Sequence, residues 1–181
     1  MTGSPSTTGE VMPGGGRRLR WALRALAAFV VLMLVLLAGP IAVLASGDVD
    51  LGPGWRAASR GSSGQAPDPA HESNAVVQVY GARTVRWRGA FGIHSWIAVK
   101  RAGASEYTTY QVIGWRAYRG LSAVDVRPGA VPDGHWFGQP PLLLADRRGA
   151  GVEELIDRIE DAVAEYPWPT RYRVWPGPNS N

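Results

Sequence analysis

At 181 residues, 45% hydrophobic and 19% charged, the chain has room for one modest folded domain plus appendages. The absence of cysteine excludes disulfides, thiol catalysis and a cysteine lipid anchor, and with three histidines (His71, His94, His135) a zinc site would have to draw on carboxylates, so no metal or other cofactor is expected. The net charge of +4 is no nucleic-acid signature, because residues 1–45 hold Arg17, Arg18, Arg20 and Arg24 against Glu10 while the remainder is nearly balanced; no nucleic-acid partner is expected.

Residues 1–16 are mostly Gly, Ser, Thr and Pro, too poor in apolar surface to offset the entropy of ordering, and are predicted to be a disordered cytoplasmic tail. Residues 17–46 read as a transmembrane signal anchor. R-R-L-R-W-A-L-R precedes residues 25–45, which carry no charge and at about 1.5 Å per residue can cross a hydrocarbon core of about 30 Å. Four arginines before this run, with Asp48 and Asp50 after it, place the N-terminus in the cytoplasm and everything beyond Ser46 outside. A cleaved signal peptide is the competing reading, with Val43-Leu44-Ala45 ahead of the cut, although its apolar core is usually about 7 to 15 residues long. Residues 47–74, rich in Gly, Ser, Pro and Ala and carrying Trp55, form a flexible linker.

The folded domain is predicted over residues 75–181. Residues 76–80 (V-V-Q-V-Y) read as a strand, 81–92 as a connection with some strand character, and 93–100 (I-H-S-W-I-A-V-K) as a strand covered on both faces. Small residues at 102–105 mark a turn, so 106–115 return as the antiparallel partner. Shorter strand-like pieces fall at 118–126 and 135–137, and 142–144 is a brief apolar segment leading to a loop. Residues 152–166 are the clearest soluble helix, with Val152, Leu155, Ile156, Ile159 and Val163 on one stripe, Glu153 and Glu154 in the first turn, and Pro167 at the end. Residues 171–175 alternate as a last strand. The fold class is therefore α+β, an antiparallel sheet with one main packed helix after a single N-terminal transmembrane helix.

His94 stands at the head of its strand beside Ser95 and Trp96, as a general base or as a core histidine bonded to a carbonyl. His135 reads as packing and His71 as solvated. Six of the eight tryptophans fall in the domain and either line a concave surface, where indole rings suit sugars, peptides or acyl chains, or close a small β-rich core. Trp96 and Trp175 are candidate ligand contacts. Asn179-Ser180-Asn181 after Pro178 resembles a helix start, where Asn and Ser cap free amides and a nucleophile is favoured by the dipole.

Taken together, A-V-V-Q-V-Y-G-A-R-T, the His94 block, Y-x-V-I-G-W and the terminal G-P-N-S-N resemble a family of uncharacterised bacterial envelope proteins with an N-terminal membrane segment. The order of parts is also similar to the circularly permuted members of the papain-like peptidase and amidase superfamily, which carry a histidine heading an early strand and an Asn-Cys motif opening a late helix. That resemblance implies His94 as base, Ser180 in the cysteine position, Asn179 beside it in substrate contact, and a polar group orienting the imidazole. Gln111 is the expected orienting residue, since the turn at 102–105 brings residues 110–112 back opposite His94; a one-residue shift would substitute Tyr110 or Val112. Serine for cysteine removes the stable thiolate, and members of the envelope family continue beyond Asn181 with Thr-Phe and a further helix, so the C-terminus is expected to be cut short. These readings imply a protein of the bacterial inner membrane whose C-terminal domain faces the periplasm. It is either a hydrolase of amide or ester bonds or a non-catalytic binding module for an envelope glycan, peptide or lipid.

Overall fold

A computed structural model describes residues 15–47, 49 and 59–179. The chain divides into two units at Ala42/Val43. In the first, helix α1 (Gly15–Ala45) carries Arg17, Arg18, Arg20 and Arg24 near its start and is apolar beyond them, with Leu26, Phe29, Val35 and Ile41 exposed. Over Gly16–Ala45 the mean hydropathy peaks at 2.8, which makes α1 long and apolar enough to cross a membrane. The tail expected at 1–16 lies outside the described residues except for the last two.

The second unit has the expected α+β architecture. Strands β1 (Val76–Arg83), β2 (Ile93–Lys100), β3 (Thr108–Val112), β4 (Val124–Pro128) and β5 (Leu142–Arg148) form one antiparallel sheet in the order β4-β3-β2-β1-β5. A 3-10 turn (Arg86–Ala90) links β1 to β2, a short helix α2 (Gly114–Ala117) follows β3, and helix α3 (Val152–Ala164) closes the order. Gly89 belongs in the 3-10 turn for steric reasons, since a Cβ there would sit 2.5 Å from the Thr84 carbonyl oxygen.

Alternation along the strands sorts the side chains into two layers. Val77, Val99 and Tyr110 face α3, whose Val152 and Ile156 are buried on them with Leu155, Ile159 and Val163 alongside, as the stripe predicts. Arg101 pins the same helix by reaching Glu153 at 3.0 Å, Asp157 at 2.8 Å and Glu160 at 2.7 Å. The opposite layer holds Val76, Tyr80, Ala82, Trp96, Ala98 and Tyr107, with Trp136 packed over them. His94, on the same parity of β2 as Trp96 and Ala98, belongs to this second layer.

Three local expectations differ from what the chain does. Residues 142–144 are the start of β5, which pairs with β1 from Leu142 to Arg148 with a register shift at Leu144; its second half, A-D-R-R, is polar because β5 is an edge strand, and that polarity concealed it. Residues 171–175 form no strand. They are hemmed in by Pro167, Pro169, Pro176 and Pro178, and Arg173 N–H turns back to the Pro178 carbonyl at 2.7 Å instead of pairing with the sheet. Tyr172 packs on α2 so closely that a Cβ on Gly114 would lie 2.6 Å from its ring. Finally, part of the segment expected to be a flexible linker is docked on the domain. Ser62 pairs with Gly134, and the Asp133 carboxylate, wholly buried, accepts from Ser62 Oγ at 2.8 Å, from Gln65 N–H at 2.6 Å and from Ala66 N–H at 3.2 Å.

Candidate functional site

Two features of the sequence put His94 where it is. β2 begins at Ile93, just beyond the 3-10 turn, so the imidazole emerges at the end of the strand on the layer away from α3. The β2–β3 register then sets Trp96 opposite Gln111, two residues along on the same face, so that Gln111 meets His94 on the diagonal. His94 Nε2 and Gln111 Oε1 are 2.9 Å apart. In turn Gln111 faces Asp125 in the β3–β4 register and donates its amide N–H to Asp125 Oδ2 at 3.0 Å. Asp125, only 3% exposed, also accepts from Arg116 at 2.9 Å and Arg127 at 2.6 Å.

This chain assigns the protons. A carboxylate flanked by two guanidiniums only accepts, so the Gln111 amide must turn its N–H toward Asp125 and its carbonyl toward His94. His94 therefore carries its proton on Nε2 and leaves Nδ1 as an unprotonated acceptor. Nδ1 has no hydrogen-bond partner among the described residues. His94 as a whole is 5% exposed, and burial pulls its pKa down to about 4 against the opposing effect of the Gln111 bond. At neutral pH the ring is an uncharged proton acceptor of fixed tautomer.

Aromatic rings frame it. Trp136 stacks on the imidazole at 3.7 Å between centroids, Trp115 stacks on Trp136 at 5.8 Å, and Trp96 lies 5.9 Å from the imidazole. Trp96 is fixed by its own N–H, donated to the Pro132 carbonyl at 2.7 Å. The docked segment holds the loop that carries Pro132 and Trp136: Ser63 Oγ donates to the Asp133 carbonyl, and His135 N–H to the Gly61 carbonyl. His94, Trp96, Gln111 and Trp136 all line one cleft of about 1590 Å³, to which the exposed Trp87, Phe91, Trp115 and Tyr118 also contribute.

Of the residues singled out from the sequence, His94, Gln111 and Trp96 converge here, and Asn179 lines the same cleft. Trp175 does not: it is 85% exposed and takes no part in the lining, because the strand expected to deliver it is absent. Ser180 lies outside the described residues. His135 bonds to the Gly61 carbonyl through Nδ1, and His71 pairs at the surface with Asp68. Sequence reasoning passed over Asp125, although an acid between Val124 and Val126 is out of keeping with an apolar strand, and it left Trp136 undistinguished among the aromatic residues. Among the described residues no cluster of three or more histidines and carboxylates could hold a metal ion.

Comparison with known proteins returns one family. The sequence profile described as "Protein of unknown function (DUF3750)" matches residues 74–181, which is more than half of the chain. No curated protein and no solved structure matches.

Proposed function

The chain belongs to the DUF3750 family, whose description assigns no activity, and from the cleft together with the order of parts in the sequence we propose that its domain is a hydrolase of amide or ester bonds on a papain-like scaffold. The observation that carries this reading is the His94–Gln111–Asp125 chain, which ties Nε2 and leaves Nδ1 as the ring's open acceptor. In the proposed reaction Ser180 Oγ attacks the substrate carbonyl as its proton passes to His94 Nδ1. The imidazolium, still bonded through Nε2–H to Gln111, then gives that proton to the departing amine or alkoxide. Water repeats the sequence to release the acid and restore the serine. Gln111 is a positioning residue, and its carbonyl dipole favours the charged ring. Asn179 in the cleft lining supports a nucleophile at the next position. We further place this domain outside a bacterial inner membrane, held by α1.

A serine-directed fluorophosphonate tests the proposal on the full chain in a non-ionic detergent. It should label the protein, labelling should vanish in Ser180→Ala and His94→Ala, and Gln111→Ala should slow it by about a hundredfold. A folded protein that resists the reagent, or labelling that persists in Ser180→Ala, would remove the hydrolase reading. The tryptophan-framed cleft would then stand as a binding site without chemistry.

A further inference from the structure

The walls of the cleft carry a charge pattern that the proposed reaction leaves unused. Five arginines line it (Arg60, Arg86, Arg88, Arg119 and Arg127), and no aspartate or glutamate does. Arg127 shares the Asp125 carboxylate with Arg116, but the other four make no ion pair among the described residues. Two of them lie against cleft aromatics, Arg88 with its guanidinium 5.2 Å from the centre of the Trp87 ring and Arg60 at 5.5 Å from that of Phe137. Four cations without carboxylates in one concavity raise the local concentration of anions, because low-dielectric walls focus their field.

The same concavity exposes large apolar side chains. Trp87, Phe91, Trp115 and Tyr118 are all solvent-exposed and all line it. Scattered exposed aromatics need no account, but a contiguous set around one cleft marks a surface that is covered in use. A free inorganic anion would satisfy the arginines and leave the aromatic walls wet. A neutral glycan or peptide would leave the arginines without a counter-charge. A ligand that meets both has an anionic head and a long alkyl or acyl chain.

We infer that the cleft binds an anionic acyl amphiphile, its chain along the aromatic walls and its head among the unpaired arginines. This names the substrate class of the site proposed above and rests on that reading for cleavage of an acyl bond, whereas the binding itself rests on the wall chemistry.

The test uses a long-chain fatty acid bearing a photoreactive diazirine, added to the full chain in non-ionic detergent, with crosslinked peptides identified by mass spectrometry. Crosslinks should fall on peptides containing Trp87, Phe91 or Trp115, and those on α1 serve as the internal reference for non-specific contact with apolar helix. Lysophosphatidylglycerol should compete with the cleft crosslinks, and lysophosphatidylcholine and inorganic phosphate should not. In the triple variant Arg86→Gln, Arg88→Gln, Arg119→Gln the ratio of cleft to α1 crosslinks should fall about tenfold, the loss of three exposed charge contacts. An unchanged ratio, equal competition by the zwitterionic lipid, or displacement by phosphate alone would overturn the inference. The two proposals fail separately. Cleft crosslinks in a protein that resists the fluorophosphonate would sustain the ligand class and remove the hydrolase. Fluorophosphonate labelling without cleft crosslinks would do the reverse.

Discussion

An imidazole that loses its water without gaining an anion holds its proton poorly, and His94 is in that position: stacked under Trp136, bonded to a neutral amide, and one residue removed from the nearest carboxylate. Its folded pKa of about 4 lies below its ordinary value of 6.5. Between these two values the unfolded chain takes up a proton that the folded chain refuses. The His94 contribution is therefore complete above pH 6.5 and is lost as pH falls toward 4, by about 3 kcal/mol in all. Denaturant midpoints of the full chain, followed by tryptophan fluorescence, should show this slope, and in His94→Gln it should be missing. A histidine proton resonance assigned to His94 and titrating near 6.5 would refute the burial argument directly. At this scale the sequence was partly legible. Gln111 could be anticipated because a hairpin of known turn length leaves few residues able to reach His94, and the diagonal contact forgave the imprecision in register. Asp125 was not anticipated, since its role depends on a third strand whose pairing no local pattern announces.

The elements that mattered most to the site are the ones with the weakest sequence signals. Helix α3 and strand β2 were readable because each buries one face and so carries a period. Residues 59–67 (S-R-G-S-S-G-Q-A-P) carry no period, and they are held by hydrogen bonds, several of which converge on the buried Asp133 carboxylate. Burial alone would raise the Asp133 carboxyl, but the bonds from Ser62, Gln65 and Ala66 outweigh it and keep it below the usual carboxylate range. Through the loop that follows Asp133, this anchor reaches the Trp136 ring over His94. Asp133→Ala strands two amide N–H groups and should cost about 3 kcal/mol. Limited proteolysis should then cut between residues 59 and 67. As Trp136 loosens, the His94 titration should move upward from about 4. A variant that becomes protease-sensitive while His94 titrates unchanged would show that the docked segment does not govern the cover of the site.

At the scale of the whole molecule, the proposed anchoring by α1 raises the question of which side of a membrane the cleft would face. Helix α1 presents only apolar side chains outward over most of its length, a surface that water does not tolerate and lipid does. Its two ends differ: Arg17, Arg18, Arg20 and Arg24 precede the uncharged run, and Asp48 and Asp50 follow it. Arginines are retained on the cytoplasmic side, because moving them across costs energy against the membrane potential and the anionic inner leaflet, whereas the nearly neutral domain meets no such barrier. The domain should therefore be exported. A reporter enzyme that works only after export, fused after Asn181, should be active in intact cells, and a fluorescent reporter that matures only in the cytoplasm should stay dark there. Replacing all four arginines with asparagine should lower the exported activity by removing the orienting charge. The opposite pattern of reporters would place the cleft in the cytoplasm. The fused protein should also run at its full-length mass in the membrane fraction. A product shortened by the length of α1 and found free of membrane would make that helix a cleaved signal, and would leave the cleft without an anchor to hold it near acyl chains.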